Sequence, residues 1–152
     1  MILAIDAGTK TGWCLVEDGK IMGSGVEDFK KKKGESNGIM FLKFRGWLQK
    51  LLSEHQDIDL VAYEAAHHRG GYATEVCVNL TGRVQEVCAE REIEYVSVHT
   101  GTLKKFATGD GAADKAMMIM QAAEILEREP VSSDEADAVL LALCAYKRYG
   151  MR

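Results

Sequence analysis

The sequence predicts an α/β fold: a mixed five-stranded sheet flanked by helices, in one domain over residues 1–152. Three observations carry this. Short apolar runs at residues 1–5, 59–63 and 93–98 have the character of buried strands. Asp18-Gly19 lies between two strand-like segments, as a hairpin turn does. Longer segments carry apolar residues at helical spacing.

Taken in order, residues 1–5 form the first strand and residues 7–12 a loop with glycines near both ends. Residues 13–17 and 20–27 are the second and third strands, so the chain opens as a meander. Residues 30–33 are four lysines. In residues 35–52, Met40, Phe44, Trp47 and Leu51 recur at the spacing of an amphipathic helix. Residues 59–63 make a central fourth strand, and residues 73–90 a helix with Val76, Leu80, Val84 and Val87 on one face. Residues 93–98 are the fifth strand. The strand-helix-strand crossover predicts that strands four and five are parallel. A short helix over residues 101–106 and longer ones over 113–126 and 133–146 complete the chain. Asp114 is a candidate local cap. Ser132 and Glu135 have capping-box spacing before the last helix.

The formal net charge is -4, so nucleic-acid binding must rest on local basic clusters. Cys14, Cys77, Cys88 and Cys144 form no CxxC pair and no zinc spacing. They read as buried or half-buried thiols in a reducing compartment. The chain opens directly into a strand pattern, with no signal-peptide pattern and no apolar run long enough for a bilayer. A cytoplasmic location is expected, in a bacterium or in a host cell, with no membrane partner.

Four carboxylates form the candidate centre. Asp6 ends the first strand and Glu64 the fourth. Strand alternation puts Asp6 on the face of Ile2 and Ala4, and Glu64 on the face of Leu60 and Ala62. If these strands lie side by side and parallel, their carboxyl ends place the two acids together, where open α/β sheets build their sites. Asp134 and Asp137, three apart at the start of the last helix, share one face. Four converging carboxylates repel one another unless protonated or filled by cations. Hard oxygen donors suit Mg²⁺, with Mn²⁺ as a substitute. Two such ions, about 3.5–4 Å apart, can activate water and stabilise a leaving oxygen, which is phosphodiester hydrolysis.

Residues 3–13, LAIDAGTKTGW, resemble the first motif of the RuvC-type Holliday junction resolvases, within the ribonuclease H-like superfamily. Val61-Ala62-Tyr63-Glu64 resembles their second motif, and Ser133-Asp134-Glu135-Ala136-Asp137-Ala138 their last. Leu103-Lys104-Lys105, with residues 109–115, resembles the region holding two functional lysines. The resemblance spans residues 1–146. It implies a ribonuclease H-like fold and Asp6, Glu64, Asp134 and Asp137 as metal ligands. It implies Lys104 and Lys115 at the scissile phosphate or DNA backbone. It further implies a symmetric homodimer that makes paired nicks in four-way DNA junctions. The chain is slightly short, as in the phage-encoded branch of the family.

Two departures stand out. Ala7 replaces the usual proline after the first aspartate. His67, His68 and Arg69 stand where the family carries a junction-acting aromatic residue, and the nearest aromatic is Tyr72. Arg69, His67, His68 and Lys105 are candidate DNA contacts beside Lys104 and Lys115. Competing readings are a YqgF-like nuclease acting on structured RNA, an actin-like ATP-binding domain and a non-catalytic DNA-binding module. The second needs another lobe that 152 residues cannot hold, and the full carboxylate set argues against the third.

Overall fold

A computed structural model describes residues 1–66 and 70–150. The elements in chain order are β1 (Ile2–Asp6), β2 (Lys10–Glu17), β3 (Lys20–Asp28), α1 (Asn37–Glu54), β4 (Leu60–Glu64), α2 (Gly71–Glu90), β5 (Glu94–Val98), α3 (Thr100–Thr108), α4 (Lys115–Leu126) and α5 (Ser133–Tyr149). The sheet order is β3-β2-β1-β4-β5. β1, β2 and β3 pair antiparallel, whereas β1-β4 and β4-β5 pair parallel. This is the mixed five-stranded sheet expected from the meander and the crossover. Asp18 and Gly19 both take positive φ, as the tight turn between β2 and β3 requires.

Strand alternation sorts the core into two layers. Leu3, Ile5, Leu15, Val61 and Tyr63 pack with α1 and α2. Ile2, Ala4, Cys14, Val16, Leu60 and Ala62 pack on the other face with α3, α4 and α5. Helix α5 is the most deeply set. Its alanines at 136, 138, 142 and 145 are buried together with Val139, Leu140 and Leu141. Small residues let its backbone approach the sheet, so its first turn is held close to the strand ends.

Some boundaries and contacts differ from the sequence reading. β2 begins at Lys10, because the residues after the loop pair with β1 and β3 before Trp13 is reached. Helix α1 starts after Ser36, and its buried seam runs through Met40, Phe44, Leu48 and Leu52, with Trp47 and Leu51 at the flank. Helix α4 starts at Lys115, since Asp114 caps it by accepting from the Met117 amide at 2.9 Å. Ser132 caps α5 by accepting from the amides of Asp134 and Glu135. The reciprocal half of a capping box is absent. The Glu135 carboxylate accepts from the Val131 amide at 2.8 Å and the Arg128 guanidinium at 2.8 and 3.0 Å. Arg128 and the Val131 amide thus take the place that the Ser132 amide would have in a capping box.

Candidate metal centre

Parallel pairing matches Ile5 with Tyr63, so the next residues, Asp6 and Glu64, end adjacent strands side by side. Both point to the face that α5 covers. Across β1, Asp6 is paired with Gly12 of β2. A β-carbon at Gly12 would lie 1.9 Å from the carbonyl oxygen of Asp134. The bare glycine therefore lets the first turn of α5 rest directly on β2. From that seat α5 delivers Asp137. One carboxylate oxygen from each of Asp6, Glu64 and Asp137 lies within 4.8 Å of the others, and all three residues are half-buried.

Asp134 stands beside this group of three. Its charge raises the proton affinity of both Asp6 and Asp137, and its carboxylate lies 3.5 Å from the Ser132 hydroxyl. Burial, with Glu64 and Asp137 nearby, holds the Asp6 carboxyl well above its ordinary range. Burial, with Glu64 and Asp134 nearby, pushes Asp137 up to about 7. Lys115 opposes both shifts, and Lys104 opposes the second. Three crowded carboxylates short of positive charge fit a hard divalent cation, whose charge removes their mutual repulsion.

A pocket of about 270 Å³ opens beside the acids, lined by Glu64, Thr100, Leu103, Lys104, Lys115, Met118 and Asp137. Thus Lys104 and Lys115, 11 positions apart in sequence, reach the same opening from α3 and α4. Lys105 is exposed and does not line it. His67, His68 and Arg69 lie outside the described residues.

Sequence reasoning missed three supports. The Thr100 hydroxyl donates to Glu64 Oε1 at 2.5 Å, orienting that carboxylate from the first turn of α3. Only the tertiary fold brings these residues together, 36 positions apart. Glu135, at the acid position of a capping box by spacing, is fully buried and bonded to Arg128, Val131 and Ser24. The Arg128 side chain holds the Glu135 carboxyl down at about 2. The network ties the start of α5 to β3. The third support is Gly12, whose sequence context showed only a loop glycine. Cys14, Cys88 and Cys144 are buried and Cys77 half-buried, as expected, and all four are free thiols. Burial pushes Cys14 and Cys88 up to about 12, which makes them poor nucleophiles.

The model of the crossover junction endodeoxyribonuclease RuvC family matches residues 2–145. The RuvC of Mycolicibacterium vanbaalenii is 27% identical over 150 residues, covering 94% of this chain and 77% of that protein. The structure of Thermus thermophilus RuvC is similar with a TM-score of 0.79 at 21% identity, covering 98% of this chain and 96% of that one. The T. thermophilus RuvC structure in complex with a Holliday junction substrate gives the same TM-score and identity, with 98% and 95% covered. These likenesses show the RuvC-like, ribonuclease H-like fold. The relatives named are bacterial, and a phage origin gains no support from them. With a family model spanning nearly its whole length and the acidic strand ends of that motif set in place, the chain belongs to the RuvC family of crossover junction endodeoxyribonucleases.

Proposed function

We propose that the protein is a divalent-metal-dependent endodeoxyribonuclease that resolves four-way DNA junctions. The observation that carries the chemistry is the convergence of Asp6, Glu64 and Asp137 oxygens within 4.8 Å. Family membership supplies the substrate class. Asp6, Glu64 and Asp137 hold the metal, and Asp134 adds a fourth carboxylate from the same helical turn. The ligand set suits two Mg²⁺ ions, with Mn²⁺ as substitute. Bound ions of this kind activate water and stabilise the leaving oxygen.

The chain's own groups set the geometry. Thr100 fixes one oxygen of Glu64, so this carboxylate meets the metal in a defined orientation. The Glu135 network holds the first turn of α5 and with it Asp134 and Asp137. Lys104 and Lys115 line the same pocket as Glu64 and Asp137 and neutralise the scissile phosphate. Lys105, Arg69, His67 and His68 extend the backbone contacts. A C2 homodimer presents two such centres to two symmetry-related strands of a junction. The whole chain acts as one nuclease domain, working on DNA in the cytoplasm. No helix among the described residues is long and apolar enough to cross a membrane.

The test is substrate choice. With Mg²⁺, a synthetic four-way DNA junction is expected to receive paired nicks, while linear duplex DNA and structured RNA stay largely intact. RNA cleavage with the junction untouched would replace this reading by a ribonuclease one.

A further inference from the structure

Resting on the resolvase reading, we infer that Lys30, Lys31, Lys32 and Lys33 form a separate DNA contact, which carries the phosphate backbone of a junction arm leaving the carboxylates. The four lysines follow β3 in a loop anchored by buried Phe29. The Phe29 amide donates to the Thr9 carbonyl at 2.7 Å, so the loop is tied to the segment that follows Asp6. On its other side, Lys31 Nζ lies 5.7 Å from the centre of the Tyr72 ring. The Tyr72 hydroxyl donates to Asn37 Oδ1 at 3.0 Å, which steadies the ring at the start of α2.

Tyr72 shares a pocket of about 270 Å³ with Ala7, Gly8, Thr9 and Cys77. The charges of Asp6 and Glu64 reach the Cys77 thiol and raise its proton affinity, after burial. This pocket borders residues 7–9, directly after Asp6, and Tyr72 joins it to Lys31. It lies apart from the pocket that holds Lys104 and Lys115.

The nearby acids bond mainly to backbone amides and to Lys43, with the Lys32 charge also acting on Glu35. Asp28 accepts from the Lys30 amide at 2.9 Å. Glu35 accepts from the Lys32 amide at 2.7 Å and pairs with Lys43 at 3.2 Å. Those carboxylates shape the loop backbone, and Glu27 is an exposed neighbour at the end of β3. Among the described residues, none of the four ammonium groups forms an ion pair with a carboxylate. A chain of net charge -4 thus concentrates four lysines in one loop, tied through Phe29 to the segment after Asp6. Lysine ammoniums act as point charges on flexible stems, which suits phosphate and not base-edge reading. The contact is therefore sequence-independent.

The experiment uses a Glu64→Gln background, which blocks cutting, and measures junction affinity across a salt series. Each phosphate neutralised contributes about -0.9 to the slope of log K against log salt. Changing Lys30, Lys31, Lys32 and Lys33 together to Gln is expected to flatten that slope by about 2 or more, and to weaken binding about tenfold or more at moderate salt. Changing all four to Arg is expected to keep the parent slope. An unaltered slope overturns the proposal, as does a slope lost equally in the Arg variant. A parent that does not bind junctions overturns the resolvase reading itself, and this inference with it.

Discussion

At the residue scale, the centre is defined by acids that resist ionising together. Asp137 is pushed up to about 7, against an ordinary 3.8, first by burial and then by Glu64 and Asp134. Asp6 is raised in the same direction. In metal-free protein the folded state therefore holds protons that the unfolded chain has lost, throughout the window between those two values. Stability must fall as pH rises across it, and the penalty is absent at lower pH, where both states are protonated. Glu135 does not obscure this. Its carboxyl is held down at about 2, so its contribution is intact above its ordinary 4.5 and fades only on further acidification. In chelator, thermal unfolding should occur at lower temperature at about pH 8 than at about pH 5, and Mg²⁺ should recover the loss at the higher pH. A metal-free protein that gains stability over that range would contradict the crowding of these acids. Asp6, Glu64 and the helical pair were legible from strand parity and spacing. Thr100 was not, because a hydroxyl 36 residues from its partner leaves no periodic trace.

At the element scale, the decisive contact is between α5 and β2. Gly12 leaves room for the Asp134 carbonyl at a position where a β-carbon would stand 1.9 Å away. Gly12→Ala must lift the first turn of α5 off the sheet, and overpacking of this kind costs about 1–3 kcal/mol. Asp137 moves with the helix, and a shift near 1 Å at a reacting centre lowers rate by about 100-fold. Unfolding measurements and junction cleavage on this variant should show both losses. Retention of both would mean that α5 is not seated as described. The helices themselves were readable, because their apolar spacing is local. The depth of α5 was not, since it depends on a glycine 122 positions before Asp134. The role of the Glu135 side chain is hidden in the sequence for the same reason: its partner Ser24 lies 111 positions away on β3. The buried seam of α1 runs one residue on from the apolar spacing, through Leu48 and Leu52 and not Trp47 and Leu51. Trp47 packs at the flank, its ring 5.7 Å from those of Phe29 and Phe44.

At the scale of the whole molecule, the sheet order β3-β2-β1-β4-β5 puts β1 and β4 at the centre, side by side and parallel. Both acidic strand ends follow from that arrangement, and α5 closes over them from one face only. The same layout persists at 21% identity to T. thermophilus RuvC, so the architecture depends on burial pattern more than on particular side chains. Within this chain the acids stand out as polar residues that end apolar strands or open a buried helix. The most direct measurement is cleavage of a four-way junction by the wild-type protein and by Asp6→Asn and Glu64→Gln, each with Mg²⁺ and with chelator. The predicted result is cutting by the wild type with metal only, and rates at least about a thousandfold lower in either variant. Cleavage that survives the chelator, or a Glu64→Gln variant that cuts at the full rate, would contradict a metal centre built on these carboxylates.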